Sequence, residues 1–167
     1  MDLYVFRHAI AVAREDESVS HDSDRPLTEK GIAKLRRVTR GMRTLGLSFD
    51  LILTSPYLRA LQTAERVAEA MGAGKTLERT PHLAPDGDPR ALIDLVRSRT
   101  GTNARILVVG HEPYLSQLVS VLMSGDEHAA IAMKKAGLCK LAIRTLRYGR
   151  CASLEWFLPP SLLARIR

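Results

Sequence analysis

Only two of the 167 residues are cysteine, Cys139 and Cys151, and they show no C-x-x-C spacing. A disulfide scaffold and a zinc ribbon are therefore excluded, and two buried or half-buried thiols in a reducing compartment are expected. Aromatic residues are scarce: four Tyr, three Phe and one Trp, nowhere interleaved with basic side chains as single-strand nucleic-acid binders require. No apolar run approaches the roughly 18 residues of a membrane span. Asp2 follows Met1 directly, and no basic segment leads an apolar stretch as in a signal peptide. No long block of like charge and no low-complexity linker is present, which argues against disorder. These absences point to a cytoplasmic protein that does not enter a membrane.

What is present fits one compact domain over residues 1–167, with 46% hydrophobic and 26% charged residues. Lys and Arg number 25 against 18 Asp and Glu, a formal net charge of +7. The excess gathers at Lys34, Arg36, Arg37, Arg40 and Arg43, and again from Lys134 to Arg150. Such a surface suits an acidic protein or a phosphorylated ligand. With so few aromatics it argues against nucleic acid, and a merely solvated basic face is the plainer reading.

Apolar runs alternate with helical patterns. Leu3–Phe6 reads as a buried strand ending in Arg7-His8, followed by a polar loop from Ala13 to Arg25. Thr28 is placed to cap a helix carrying Ile32, Leu35, Val38, Met42 and Leu45 at helical spacing, stopped at Gly46. Leu51–Thr54 is a second strand, and Ser55-Pro56 reads as a cap with proline at the first helical position. Leu58, Leu61, Ala64, Ala68 and Met71 line that helix before Gly72. A short strand around Leu77 is expected, then a helix opened by Asp88-Pro89. Ile106–Gly110 is the clearest strand, turned by His111-Glu112-Pro113 into a helix through Leu122. Leu138–Leu146 and Ser153–Leu158 read as closing strands joined by a turn at Tyr148-Gly149. The pattern predicts a three-layer α/β/α sandwich with a mainly parallel central sheet and an antiparallel edge. Leu162–Arg167 is amphipathic, suited to pack on the body or on another subunit.

In open α/β sheets ligands bind beyond the carboxyl ends of the strands. There the sequence sets Arg7 and His8, Arg59 about a helical turn past the second strand, and His111. If these strands are parallel neighbours, two imidazoles and two guanidiniums share one pocket. Guanidiniums make forked, charge-assisted hydrogen bonds to phosphoryl oxygens. An unprotonated imidazole in line with phosphorus is a nucleophile, and the second can donate to an equatorial oxygen as charge builds. The helix capped by Ser55 would add backbone N–H groups. Neither a metal nor another cofactor is needed, and no clustered carboxylates of a magnesium site occur.

Leu3–Ala9 (LYVFRHA), Arg25–Gly31 (RPLTEKG), Thr54–Glu65 (TSPYLRALQTAE) and Val108–Pro113 (VVGHEP) together resemble the histidine phosphatase, or phosphoglycerate-mutase-like, superfamily. The D-x-x-R-P-L-T element at Asp22–Thr28 and the short chain are similar to its SixA-type phosphohistidine phosphatase branch. The resemblance implies the same single α/β/α sandwich. It makes His8 the nucleophile that becomes phosphorylated, with Arg7, Arg59 and His111 completing the phosphate pocket and water releasing phosphate. Ala9 stands where the family has glycine, which is tolerable if the position does not need positive φ. The region that elsewhere inserts an acidic proton donor is short here, with Glu78, Asp86 and Asp88 only loosely placed. Asp22 is the matching candidate donor and Glu112 a second. The implied activity is a metal-independent phosphatase acting on phosphohistidine of a signalling or phosphocarrier protein, with the Lys34–Arg43 face steering an acidic partner. The competing readings are a broad small-molecule phosphomonoesterase and a non-catalytic phosphate-binding module.

Overall fold

The computed structural model describes residues 1–16 and 19–167; Glu17 and Ser18, inside the expected Ala13–Arg25 loop, lie outside the described residues. Six strands form one sheet: β1 (Asp2–Arg7), β2 (Leu51–Thr54), β3 (Leu77–Arg79), β4 (Arg105–Gly110), β5 (Leu138–Ile143) and β6 (Ala152–Leu158). Their order is β3-β2-β4-β1-β5-β6. The first four are parallel and the last two antiparallel, as the alternation of runs and helices predicts. β5 ends at Ile143, short of the expected Leu146. At that point both neighbours run out, since Ile143 donates its N–H to the carbonyl of Met1 and pairs with Ala152 at the start of β6.

Because successive strand residues face opposite ways, each apolar run feeds two cores. Leu3, Val5, Leu53, Ile106 and Val108 pack with α3 (Pro89–Arg99) and α4 (Tyr114–Ser124). Tyr4, Phe6, Ile52, Leu107 and Val109 pack on the other face with α1 (Glu29–Thr44) and α2 (Leu58–Met71). Thr28 caps α1 by accepting from the Gly31 N–H at 3.0 Å, and Asp88 caps α3 by accepting from the Arg90 N–H at 2.8 Å. These caps satisfy N–H groups that have no partner inside the helix.

The layers fix where a ligand can enter. The helix following β1 lies on one face and the helix following the adjacent β4 on the other, which leaves a crevice beyond their carboxyl ends. His8 and His111 are the first residues past those two strands. From the same edge α1 runs away, starting beside Ile10, so Arg43 sits about 20 Å along the helix from Thr28. The Lys34–Arg43 face therefore points down the flank and does not ring the crevice.

The chain's end packs on the body. α5 (Pro160–Leu163) buries Leu163 against the core beneath α1, while Leu162 stays exposed. The contact is close because a Cβ on Gly41 would run into the carbonyl oxygen of Leu163. In a helix interior alanine ordinarily beats glycine by up to 1 kcal/mol; here the clash with backbone reverses the sign. Gly41→Ala is expected to lower stability by about 1–3 kcal/mol, read from the denaturant midpoint, and a neutral or stabilising result would contradict this packing.

Candidate active site

Arg7, His8, Arg59 and His111 line one cavity of about 270 Å³, together with Arg14, Asp22, Arg25, Pro85, Glu112 and Lys135. A larger cleft of about 520 Å³, around Asp50, Lys75 and Asn103, opens by the amino ends of β2 and β4 and contains no histidine. The His8 and His111 rings stand 5.1 Å apart between centroids. Their backbones are tied by the sheet itself: the His8 N–H donates to the Gly110 carbonyl at 3.0 Å.

His8 is buried, and its Nδ1 lies 2.7 Å from the Ala9 carbonyl, an oxygen that can only accept. The proton therefore resides on Nδ1, and Nε2 keeps its lone pair. Burial first, then the charges of His111, Arg59 and Arg7, push the His8 pKa down to about 3, although the Ala9 bond opposes them. Burial and then Arg59 likewise take His111 down to about 3, with Asp22 pulling the other way and Arg25 and Arg7 adding to the depression. Both imidazoles are neutral at physiological pH.

The guanidiniums are anchored by some nitrogens and left open at others. Arg7 Nη1 donates to the Met133 carbonyl at 2.7 Å, and Arg59 donates to the Asp22 carbonyl at 2.6 Å and to Asp22 Oδ2 at 3.0 Å. Arg7 Nε, Arg25 Nε, Arg59 Nε and His111 Nδ1, all on residues lining the cavity, are buried without any partner. Buried donors are nearly always satisfied. Three unsatisfied guanidinium N–H groups around one cavity, with an unpartnered imidazole nitrogen beside them, describe a receptor for a compact anion such as phosphoryl.

Two elements carry this arrangement beyond the strand ends. Thr63 on α2 accepts from the Ala9 N–H at 3.1 Å and donates to the Arg59 carbonyl at 2.6 Å. Ala9 has no positive φ, so its methyl group is tolerated where glycine was expected. The 133–137 segment before β5 forms a strap over Arg7 and His8. Its Ala136 N–H lies 3.0 Å from the Arg7 carbonyl and 3.2 Å from that of His8, and Gly137 accepts from the Arg7 N–H at 3.2 Å. Ala136 is the one non-glycine with positive φ, 62°, among the described residues, a conformation tolerated where surroundings over-determine it. Sequence reasoning missed this strap, because an Ala-Gly pair carries no chemical signal.

One expectation changes. α2 begins at Leu58 with Tyr57 at the N-cap position and no side-chain cap, so Ser55 does not serve as its N-cap. The Ser55 hydroxyl instead lies 2.8 Å from His111 Nε2. Asp22 sits in a short 3₁₀ turn, Asp22–Asp24, inside the expected loop. Its carboxyl pairs with Arg59 at 3.0 Å, Arg25 at 2.8 Å and Arg14 at 3.3 Å. Burial would raise its pKa, but Arg59 and Arg25 outweigh this and hold it below the ordinary range, so it is a carboxylate in this arrangement. Glu112 accepts from the Ser116 N–H at 3.1 Å, near the start of α4. Glu78 pairs with Arg99, Asp88 caps α3, and Asp86 lines a separate hollow past Pro85; none of the three lines the histidine cavity.

Comparison with known proteins identifies the family. The family signature described as Histidine phosphatase superfamily (branch 1) matches residues 3–84. The chain belongs to the histidine phosphatase superfamily and is a phosphatase of its SixA-like kind. It is 30% identical to phosphohistidine phosphatase SixA of Escherichia coli K12 over 127 residues, covering 75% of this chain and 76% of that protein. It is 38% identical to an uncharacterised protein of Picosynechococcus sp. PCC 7002 over 165 residues, 95% of this chain and 94% of the relative. The structure of the protein histidine phosphatase SixA complexed with tungstate superposes with a TM-score of 0.81 at 27% identity, covering 96% of this chain and 98% of the other.

The depressed histidines couple folding to pH. The unfolded chain takes up protons at both positions near pH 6.5, whereas the folded chain does so only toward pH 3. The unfolded state thus binds more protons in that window, and stability falls as pH falls through it. Between pH 6.5 and 5, above the range where carboxylates titrate, the loss should steepen toward about 2.7 kcal/mol per pH unit, and toward about half that in His8→Gln. Denaturant midpoints across this window measure it; equal slopes would refute the burial of a neutral His8.

Proposed function

We propose that this chain is a metal-independent phosphohistidine phosphatase acting on a cytoplasmic signalling or phosphocarrier protein. The observation that carries this reading is the cavity itself: a lone pair on His8 Nε2 beside three unpartnered buried guanidinium N–H groups, those of Arg7, Arg25 and Arg59. His8 Nε2 attacks phosphorus, the P–N bond to the substrate imidazole breaks, and the phosphoryl group passes to His8. Arg7 and Arg59 fork onto its oxygens, and His111 donates where charge grows in the transition state. Water then attacks phospho-His8, releasing phosphate and restoring the neutral imidazole. The fixed guanidiniums supply the positive charge that a metal would otherwise bring.

Asp22 decides the substrate class. A carboxylate held by three guanidiniums carries no proton at neutral pH, so it suits the fixing of Arg59 better than proton donation. An alkoxide leaving group needs that proton, a service worth roughly 10²–10⁴-fold. The imidazole of phosphohistidine needs no such donor, because its second ring nitrogen takes its proton from solvent and the ring departs as neutral imidazole with the electron pair of the P–N bond. Phosphohistidine is therefore favoured over phosphate monoesters.

The test is turnover, with EDTA present throughout, of a phosphotransfer domain chemically phosphorylated on histidine, beside a sugar phosphate and a phosphoserine peptide. Faster release from phosphohistidine is expected, with an acid-labile label trapped on wild type and absent from His8→Ala. Asp22→Asn should cost under about tenfold on phosphohistidine, below the range of a lost general acid. Higher turnover on the esters, or loss of activity in EDTA, would reject the reading.

The mouth of the cavity bears on the partner. Arg14, Arg25 and Lys135 line it outside the four central groups. Lys135 forms no ion pair with any described residue; burial, then Arg7, Arg25 and Arg59, lower its pKa. An acidic rim around the partner's phosphohistidine complements it. Lys135→Glu is expected to raise KM for the phosphorylated domain several-fold while leaving free phosphohistidine unaffected; equal effects on both would place Lys135 on the phosphoryl group instead.

A further inference from the structure

His111 is the one member of the central four whose ring is held by another side chain. Its Nε2 lies 2.8 Å from Ser55 Oγ, and the two residues are 2% and 0% exposed. Ser55 also receives the Tyr57 N–H at 3.2 Å. A hydroxyl owns one proton, and counting decides where it goes. If Ser55 accepted from both Tyr57 and His111, its own proton would be buried with no acceptor recorded for it. His111 would then turn a bare Nδ1 lone pair toward a site built for anions. If Ser55 donates to Nε2, every group of the trio is used, and Nδ1 carries the proton. Nδ1 is the ring nitrogen left buried and unpartnered.

We infer that Ser55 is a positioning residue that sets the tautomer of His111, its hydroxyl donating to Nε2 so that Nδ1–H is the donor offered to the phosphoryl oxygens. The inference rests on the phosphatase reading above and adds to it the origin of the donor. The relay runs from the backbone N–H of Tyr57 through Ser55 to the ring. The turn between β2 and α2 thereby acts on the histidine at the end of β4, and the Ser55 N–H bond to the Val109 carbonyl at 3.0 Å locks the two in register. Neutral imidazole in water favours the opposite tautomer, so without Ser55 the ring would present a lone pair to phosphate part of the time.

The decisive measurement is long-range ¹H–¹⁵N correlation of the histidine rings near pH 7.5, which distinguishes protonated from bare ring nitrogens and needs no turnover. Wild type is expected to show His111 with Nδ1 protonated and Nε2 bare; the reverse assignment overturns the inference outright, whatever the substrate proves to be. In Ser55→Ala the His111 pattern should move toward Nε2–H, with kcat on phosphohistidine falling about 10–100-fold, KM changing little, and Ser55→Thr restoring both. An unchanged tautomer in a folded Ser55→Ala would also overturn it. Should Ser55→Ala fail to fold, the wild-type spectrum still decides. A correct tautomer in a protein that does not hydrolyse phosphohistidine would instead reject the proposed function and leave the role of Ser55 standing.

Discussion

Buried guanidiniums with unbonded nitrogens are costly to maintain. Arg59 is almost wholly buried, yet its Nε has no partner, and the same holds for Arg7 Nε and His111 Nδ1. Desolvated donors of this kind lose stability in the free protein and regain it when an anion arrives. Much else in the molecule serves to tolerate that cost. Asp22 neutralises part of the charge, the Met133 carbonyl holds one end of Arg7, and both histidines stay neutral so that they add none.

The sheet makes the cost bearable by rigidity. β1, β4 and β2 are adjacent, and their ends are stitched by the His8–Gly110 and Ser55–Val109 backbone bonds. Side chains leaving such a scaffold cannot spread apart to solvate their charges without breaking ladder bonds. The same rigidity suits a reaction in which the protein supplies position and fixed charge and phosphorus does the rest. Placing His8 and His111 at a point where helices leave to opposite faces opens the cavity that the four central side chains share.

Much of this was legible from the chain alone. Period-two alternation inside Leu3–Phe6 and Ile106–Val109, Thr28 and Asp88 as caps, and Gly46 and Gly72 as stops were sufficient for the layered fold, because each is a local consequence of backbone chemistry. The four central residues were legible because strand ends in such folds collect function. Ser55 was misread for the same reason that Thr28 was read correctly. A serine before proline signals a cap by local rules, and nothing within a few positions reveals a histidine 56 residues away competing for its hydroxyl. Asp22 was found, but its ionisation depends on Arg14, Arg25 and Arg59 meeting in space, which no spacing encodes.

The amino-acid order by itself determined the α/β alternation, the parallel core with its antiparallel edge, and the residues fit for phosphoryl chemistry, since all three follow from local periodicity and side-chain type. Only the folded chain decided which nitrogen of His8 keeps a lone pair, which donors lack partners, that the strap at 133–137 holds Arg7, and that the C-terminal helix packs on α1. Those are properties of distance and burial, set when segments far apart in the chain meet and exclude water.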